Sequence, residues 1–175
     1  MKHLINDKNG TEYSLRIAEI DDLAALNSVY NESIRTRRCT GHMVEFAPND
    51  REDWFYAHPA DKFPIYVCEC HGKIVGYIHI SPFKERHAFA GDVEMTHYLD
   101  FEHQGKGLGS AMLDFMLKRT KELGYEFVIA TLLSLNEKSI ALLEKFEFSQ
   151  WGRLPSIMNM GDGVRCDFLI YGIKL

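Results

Sequence analysis

"HQGKGLGSAM", residues 103–112, places three glycines and a lysine in one short turn and then becomes apolar. Small residues at Gly105, Gly107 and Gly109 let the backbone come close to a ligand. The N–H groups of such a loop and of the helix after it point the same way, and with the helix dipole they form an anion site. On its own the stretch reads either as a phosphate cradle or as a glycine turn before a helix. Two common phosphate motifs fail. A P-loop carries Ser or Thr after its Gly-Lys pair, whereas Gly107 follows Lys106 here. A dinucleotide fingerprint opens straight after a strand with Gly-x-Gly-x-x-Gly. Here the charged turn 100–104 precedes, and the glycines fall at 105, 107 and 109.

The surroundings predict a mixed α/β domain. Upstream, residues 91–100 read as a strand in which Val93, Met95 and His97 alternate with Glu94, Thr96 and Tyr98. Downstream, Leu108, Met112, Phe115 and Met116 form one apolar helix face, and Gly124 supplies a left-handed stop. Residues 127–133 are continuously apolar, as in a central strand. A helix follows, with Ser134 and Glu137 spaced as a capping box. Towards the N-terminus, a strand over 12–18 leads into a helix over 20–35 that Asp21 or Asp22 would cap. A short helix is expected over 48–58, and a hairpin over 63–83 turns at 71–73. Segments 147–154 and 164–175 supply the last strands. The pattern predicts α/β (α+β) architecture: one mixed, mostly antiparallel sheet of about seven strands, with helices on both faces, in a single domain over 1–175.

Composition narrows the function. The chain has 175 residues, enough for one domain with its own core. Its formal net charge of −5 lacks the basic excess of a nucleic-acid binder, and the run "RTRR" (35–38) reads as a solvated helix end. Cys68 and Cys70 share one face of a strand without the second pair a zinc site needs. They read as core thiols, and no metal is expected. No segment approaches the roughly 18 apolar residues that span a bilayer, and the polar first ten residues contain no signal core. A cytoplasmic location without membrane or nucleic-acid partners is the expectation.

"QGKGLG" (104–109), the strand "VEMTHYL" (93–99) before it and "NEKSIALLEKFEF" (136–148) after it occur in the order and at the separations of the GCN5-related N-acetyltransferases, which the chain resembles over almost its whole length. The stretch 81–110 is similar more narrowly to phosphinothricin acetyltransferases and their methionine sulfone and methionine sulfoximine relatives. The resemblance implies acetyl-CoA as co-substrate, in a cleft where the strand at 91–100 splays from the one at 127–133. It assigns the cofactor to Gln104, Gly105, Lys106, Gly107, Leu108 and Gly109 at the pyrophosphate, to Thr96, His97 and Tyr98 along the arm, and to Asn136. Glu94 would be the general base, since an amine protonated at neutral pH must lose a proton before it attacks. Phe83, Lys84, Arg86 and Phe89 would line the acceptor pocket, and a homodimer is implied.

Each assignment has a plainer counterpart. Glu94 also fits a salt-bridged strand residue, Asn136 a cap, Thr96 and His97 ordinary sheet side chains, and the 83–89 segment a solvated loop. Leu143 occupies the position where the resembled family carries the Tyr or His that protonates the leaving thiolate, and Glu147 replaces a glycine. Of the phosphinothricin group's C-terminal motif only Asp167 is kept, and "RRCTGHMVEF" (37–46) departs from its acceptor segment. The reading is an N-acetyltransferase for the amine of a small amino-acid-like molecule. Its alternatives are acetylation of a polyamine, an aminoglycoside or a protein N-terminus, or an acyl-CoA-binding module without catalysis.

Overall fold

The computed structural model describes residues 2–175. These form one eight-stranded sheet in the order β1-β2-β3-β4-β5-β6-β8-β7. The strands are β1 (His3–Asn6), β2 (Glu12–Ile17), β3 (Ile65–Cys70), β4 (Lys73–Pro82), β5 (Asp92–Leu99), β6 (Phe127–Leu133), β7 (Ser149–Asn159) and β8 (Arg165–Lys174). The helices are α1 (Leu23–Thr36), α2 (Glu52–Tyr56), α3 (Leu108–Glu122) and α4 (Glu137–Lys145). Neighbouring strands are antiparallel except β5 and β6.

Two cores cover the two faces of the sheet. On one face Leu108, Met112, Leu113 and Met116 of α3 pack with Leu143 of α4 on Ile78, Ile80, Val93, Met95, Val128 and Leu132. On the other, Leu26, Val29, Tyr30 and Ile34 of α1 pack on Ile65, Val67 and Tyr77. Helices on both faces follow from these two apolar stripes, as the periodicity predicts. At Gly76 of β4 an added Cβ would stand 2.7 Å from the Tyr98 carbonyl oxygen and 2.5 Å from Leu99. The close approach of β4 to β5 therefore requires glycine there.

Several local expectations are corrected. The strand count is eight, because the polar segment at 3–6 pairs with β2 as an outer strand. Asp22 makes no side-chain cap to α1. Its carboxylate accepts from the Glu19 N–H at 2.8 Å and pairs with Arg16 at 2.7 Å. The helix expected over 48–58 shortens to Glu52–Tyr56, because Asn27 donates to the carbonyls of Ala47, Pro48 and Asp50 and holds that segment as a loop. The capping box at Ser134 does not form: Ser134 Oγ accepts from the Asp167 N–H, and Asn136 is the N-cap of α4, its side chain accepting from Ser139 N–H at 3.3 Å. Phe115 is only half-buried on the α3 face. Glu147, in the glycine's place, makes the bend at φ 64°.

Candidate active site

The parallel pairing of β5 with β6 lasts three residues, from Asp92↔Phe127 to Glu94↔Ile129. Beyond Glu94 the strands part. Met95 to Leu99 and Ala130 to Leu132 become opposite walls of a cleft of about 920 Å³. The ladder to β4 uses the even-numbered residues of β5: Phe83 N–H donates to Asp92 C=O, and Asp100 N–H to Val75 C=O. Strand alternation therefore turns the backbone groups of Met95 and His97 into the gap, where no strand answers them. An extended ligand arm fits such a place as an added strand.

The glycine loop closes the outer end. Asp100, buried, accepts from His103 N–H at 3.0 Å and from His103 Nδ1 at 2.6 Å, which shapes the short 3-10 turn Phe101–His103. Gln104 Nε2 then donates to the Leu99 carbonyl at 3.1 Å. Gly105 and Gly107 both have positive φ, 74° and 86°, and Gly107 is the N-cap of α3. Behind the loop, Lys8 N–H donates to the Lys106 carbonyl at 2.9 Å, so the β1–β2 turn braces it. Gln104, Gly105, Gly107 and Gly109 line the cleft. Lys106 and Leu108 are not among its lining residues, and Leu108 is fully buried in the core.

Thr96, His97 and Tyr98 line the inner wall, and Asn136 the opposite one. Loss of hydration pushes the His97 pKa down to about 4, so its ring is neutral at pH 7. Burial, reinforced by Tyr30 and Tyr77, raises Tyr98 well above the usual phenol range, so its hydroxyl keeps its proton. Leu143 lines the cleft as a buried apolar side chain with no proton to give.

Glu94 sits in the last paired row, where the cleft begins. It is half-buried and accepts a hydrogen bond from Thr131 Oγ1 of β6. Thr131 lines the cleft while Glu94 lies behind it. Phe83, Lys84, Arg86 and Phe89 belong to the loop that starts next to Ser81 and Pro82, the partners of Glu94 and Val93. The rings of Phe83 and Phe89 meet edge to face at 5.7 Å, with Lys84 Nζ 5.1 Å from the Phe83 centroid. Lys84, Arg86 and Phe89 border a separate hollow of about 390 Å³ that shares no lining residue with the cleft. Three features escaped the sequence reading. Thr131 is one hydroxyl in an apolar run, a signal that was available. Ser33, Thr36, Arg38 and Cys39 from the end of α1 also line the cleft. Arg51 lies among aromatic rings on the α1 side of the sheet.

Among the described residues, no cluster of three or more His, Cys, Asp or Glu is placed to hold a metal ion, and no helix is long and apolar enough to cross a membrane.

Comparison with known proteins agrees with this geometry. YwnH of Bacillus subtilis, provisionally assigned as a phosphinothricin acetyltransferase, is 36% identical over 163 residues, covering 93% of this chain and 99% of its own. The L-methionine sulfoximine/L-methionine sulfone acetyltransferase of Pseudomonas paraeruginosa is 27% identical over 145 residues, 82% of this chain and 84% of its own. The crystal structure of a phosphinothricin acetyltransferase from Sinorhizobium meliloti in complex with acetyl-CoA superposes with a TM-score of 0.86 at 27% identity, covering 93% of this chain and 88% of that one. The sequence model of the Acetyltransferase (GNAT) family matches residues 26–148, from α1 through the end of α4. With the splayed strands and the glycine loop at the mouth of their gap, this places the chain in the Acetyltransferase (GNAT) family.

Proposed function

We propose that the chain is an acetyl-CoA-dependent N-acetyltransferase for the amine of a small amino-acid-like acceptor of the phosphinothricin or methionine sulfone and sulfoximine type. The observation that carries this reading is the gap between β5 and β6, with a glycine loop at one end and, at the other, Thr131 hydrogen-bonded to the Glu94 carboxylate behind it. The names of the relatives support the acceptor class.

Bound acetyl-CoA supplies the activated acyl group. The protein's part is positioning and proton transfer. Gln104 to Gly109 hold the pyrophosphate through backbone N–H groups. The backbone of Met95 and His97 pairs with the arm, and an N–H there donates to the acyl oxygen, where negative charge develops. Thr96, His97 and Tyr98 wall the arm on one side and Asn136 on the other. Glu94 takes the proton of the acceptor ammonium, through Thr131 or a water beside it. With Leu143 in the wall, the leaving thiol, whose ordinary pKa is about 8.5, departs as thiolate and takes its proton from solvent. Phe83, Lys84, Arg86 and Phe89 form the outer rim of the acceptor side.

The test is thiol release from acetyl-CoA across a panel of amines: phosphinothricin, methionine sulfone, methionine sulfoximine, polyamines, aminoglycosides and peptides with free N-termini. Turnover concentrated on the first three is the expected result. Turnover concentrated on another class overturns the acceptor reading. Tight CoA binding with no thiol release overturns the enzymatic one and favours a binding module, the reading that Leu143 supports.

A further inference from the structure

Arg51 stands at the start of α2 with a left-handed backbone, φ 74°. Its guanidinium carbon lies 3.9 Å from the Trp54 ring centroid, 4.7 Å from that of Tyr30 and 5.3 Å from that of Phe46. Trp54 meets the ring of His79 at 5.2 Å, and Tyr30 meets Tyr98, part of the cleft wall, edge to face at 4.6 Å. The planar cation is thus held in an aromatic box on the α1 side of the sheet. By strand alternation, that is the face to which Glu94, Thr96 and Tyr98 point.

The box leaves the charge unanswered. Arg51 Nη1 donates to Asn27 Oδ1 at 3.3 Å. The arginines that form ion pairs among the described residues are Arg16, Arg35, Arg119 and Arg153. Three imidazoles surround the box, His42, His58 and His79. Burial first, with Arg51 adding to it, holds each below its ordinary pKa, so the positive charge here is that of Arg51. Stacking on aromatic faces offsets part of the cost of a partly desolvated cation, and an anion supplies the rest. A guanidinium has five donors in a rigid fork that matches an oxyacid in two parallel hydrogen bonds. Asn27, itself fixed by three backbone carbonyls, keeps that fork oriented.

We propose that Arg51 is the subsite for the acid group of the acceptor, binding its carboxylate or phosphinate on the face of the sheet where Glu94 meets its amine. This deepens the amino-acid acceptor reading and rests on it. It separates two duties: Arg51 selects acceptors that carry an acid group, and the rim at Lys84 and Arg86 is not required for that choice.

The experiment compares methionine sulfone with the amine that lacks only its carboxylate, 3-(methylsulfonyl)propylamine, in the wild type, Arg51→Gln and Arg51→Lys. Arg51→Gln is expected to raise the KM for methionine sulfone by about 10- to 100-fold. The KM values for the decarboxylated amine and for acetyl-CoA stay within about twofold, which a general structural defect would not allow. Arg51→Lys keeps the charge without the fork and recovers part of the loss. If Arg51→Gln does not fold, the same comparison in Arg51→Lys decides. An equal rise for both acceptors, or no rise, overturns the inference while leaving the acceptor class intact. A wild type that turns over other amines but neither methionine sulfone nor phosphinothricin overturns both.

Discussion

Thr131 Oγ1 of β6 donates a hydrogen bond to the Glu94 carboxylate of β5 across the row where the two strands separate. The bond engages one carboxylate oxygen behind Thr131 and leaves the other outside it. Glu94→Gln keeps the shape and removes the proposed base. It is expected to lower kcat by about 10²-fold or more while acetyl-CoA binding, read by calorimetry, changes less than about threefold. Wild-type turnover in this variant would refute the role of Glu94. Thr131→Val leaves the carboxylate unanchored and should lower kcat to a smaller extent, with a shift in the pH–rate profile.

The three loop glycines are not equivalent. Gly107 has φ 86°, and a Cβ there would meet Lys8 at 3.4 Å. Gly109 has no such φ, and a Cβ would make ordinary contacts, 3.6 Å to Leu142 and Leu99. Gly107→Ala should therefore cost about 1–2 kcal/mol and raise the KM for acetyl-CoA. Gly109→Ala should be tolerated, with bulkier residues narrowing the cleft. Equal effects of the two alanines, measured by denaturant unfolding and steady-state kinetics, would argue against this loop geometry.

Asn136 is a helix cap that also lines the cleft. Its oxygen caps α4, and the proposed cofactor contact falls to its amide nitrogen. Asn136→Asp preserves the cap but loses the donor. It should keep the melting temperature within a few degrees and raise the KM for acetyl-CoA, whereas Asn136→Ala loses both, including about 1 kcal/mol of stability. An Asp variant with unchanged KM would leave Asn136 as a cap alone.

Stability should fall on mild acidification. His97 has a folded pKa of about 4 against an ordinary 6.5, because burial disfavours its charged form. Between those values the unfolded chain binds a proton that the folded chain does not, so stability is lost as pH drops from about 6.5 towards 4. His58 and His79 shift in the same direction, chiefly by burial. Carboxylates such as Glu69, held low by Lys2 and Arg16, begin to act only at lower pH. For His97 the loss accrues between pH 7 and pH 5. Urea unfolding at the two pH values measures it, and His97→Gln should flatten part of the slope. A pH-independent midpoint would contradict the desolvated neutral ring.

The loop, the strand before it and the helix after it were legible in the sequence because their signals are local: glycine spacing, alternation and a 3.6-residue stripe. Elements set by distant partners were not. The segment at 3–6 is polar and becomes a strand only because β2 offers it an edge. Asp22 stands where a cap belongs, but Arg16 and the Glu19 N–H claim its carboxylate. Asn27 suppresses the first turn of the expected 48–58 helix from more than twenty residues away. In the site, Glu94 and the glycines could be picked out by position along the chain. The hydroxyl of Thr131 stood out in an apolar run, but its link to Glu94 comes only with the folded sheet, and no spacing rule connects Arg51 with Tyr30, Phe46 and Trp54.

The departure of β5 from β6 also leaves an unfinished sheet inside the molecule. Sheet margins are normally kept short, charged or covered, because any extended chain can pair with them. Here the margin formed by Met95 and His97 is recessed between the walls of the cleft. The proposed ligand arm, paired there, would complete the sheet reversibly. On that proposal the unliganded form is the less stable one, and its melting temperature rises with ligand concentration.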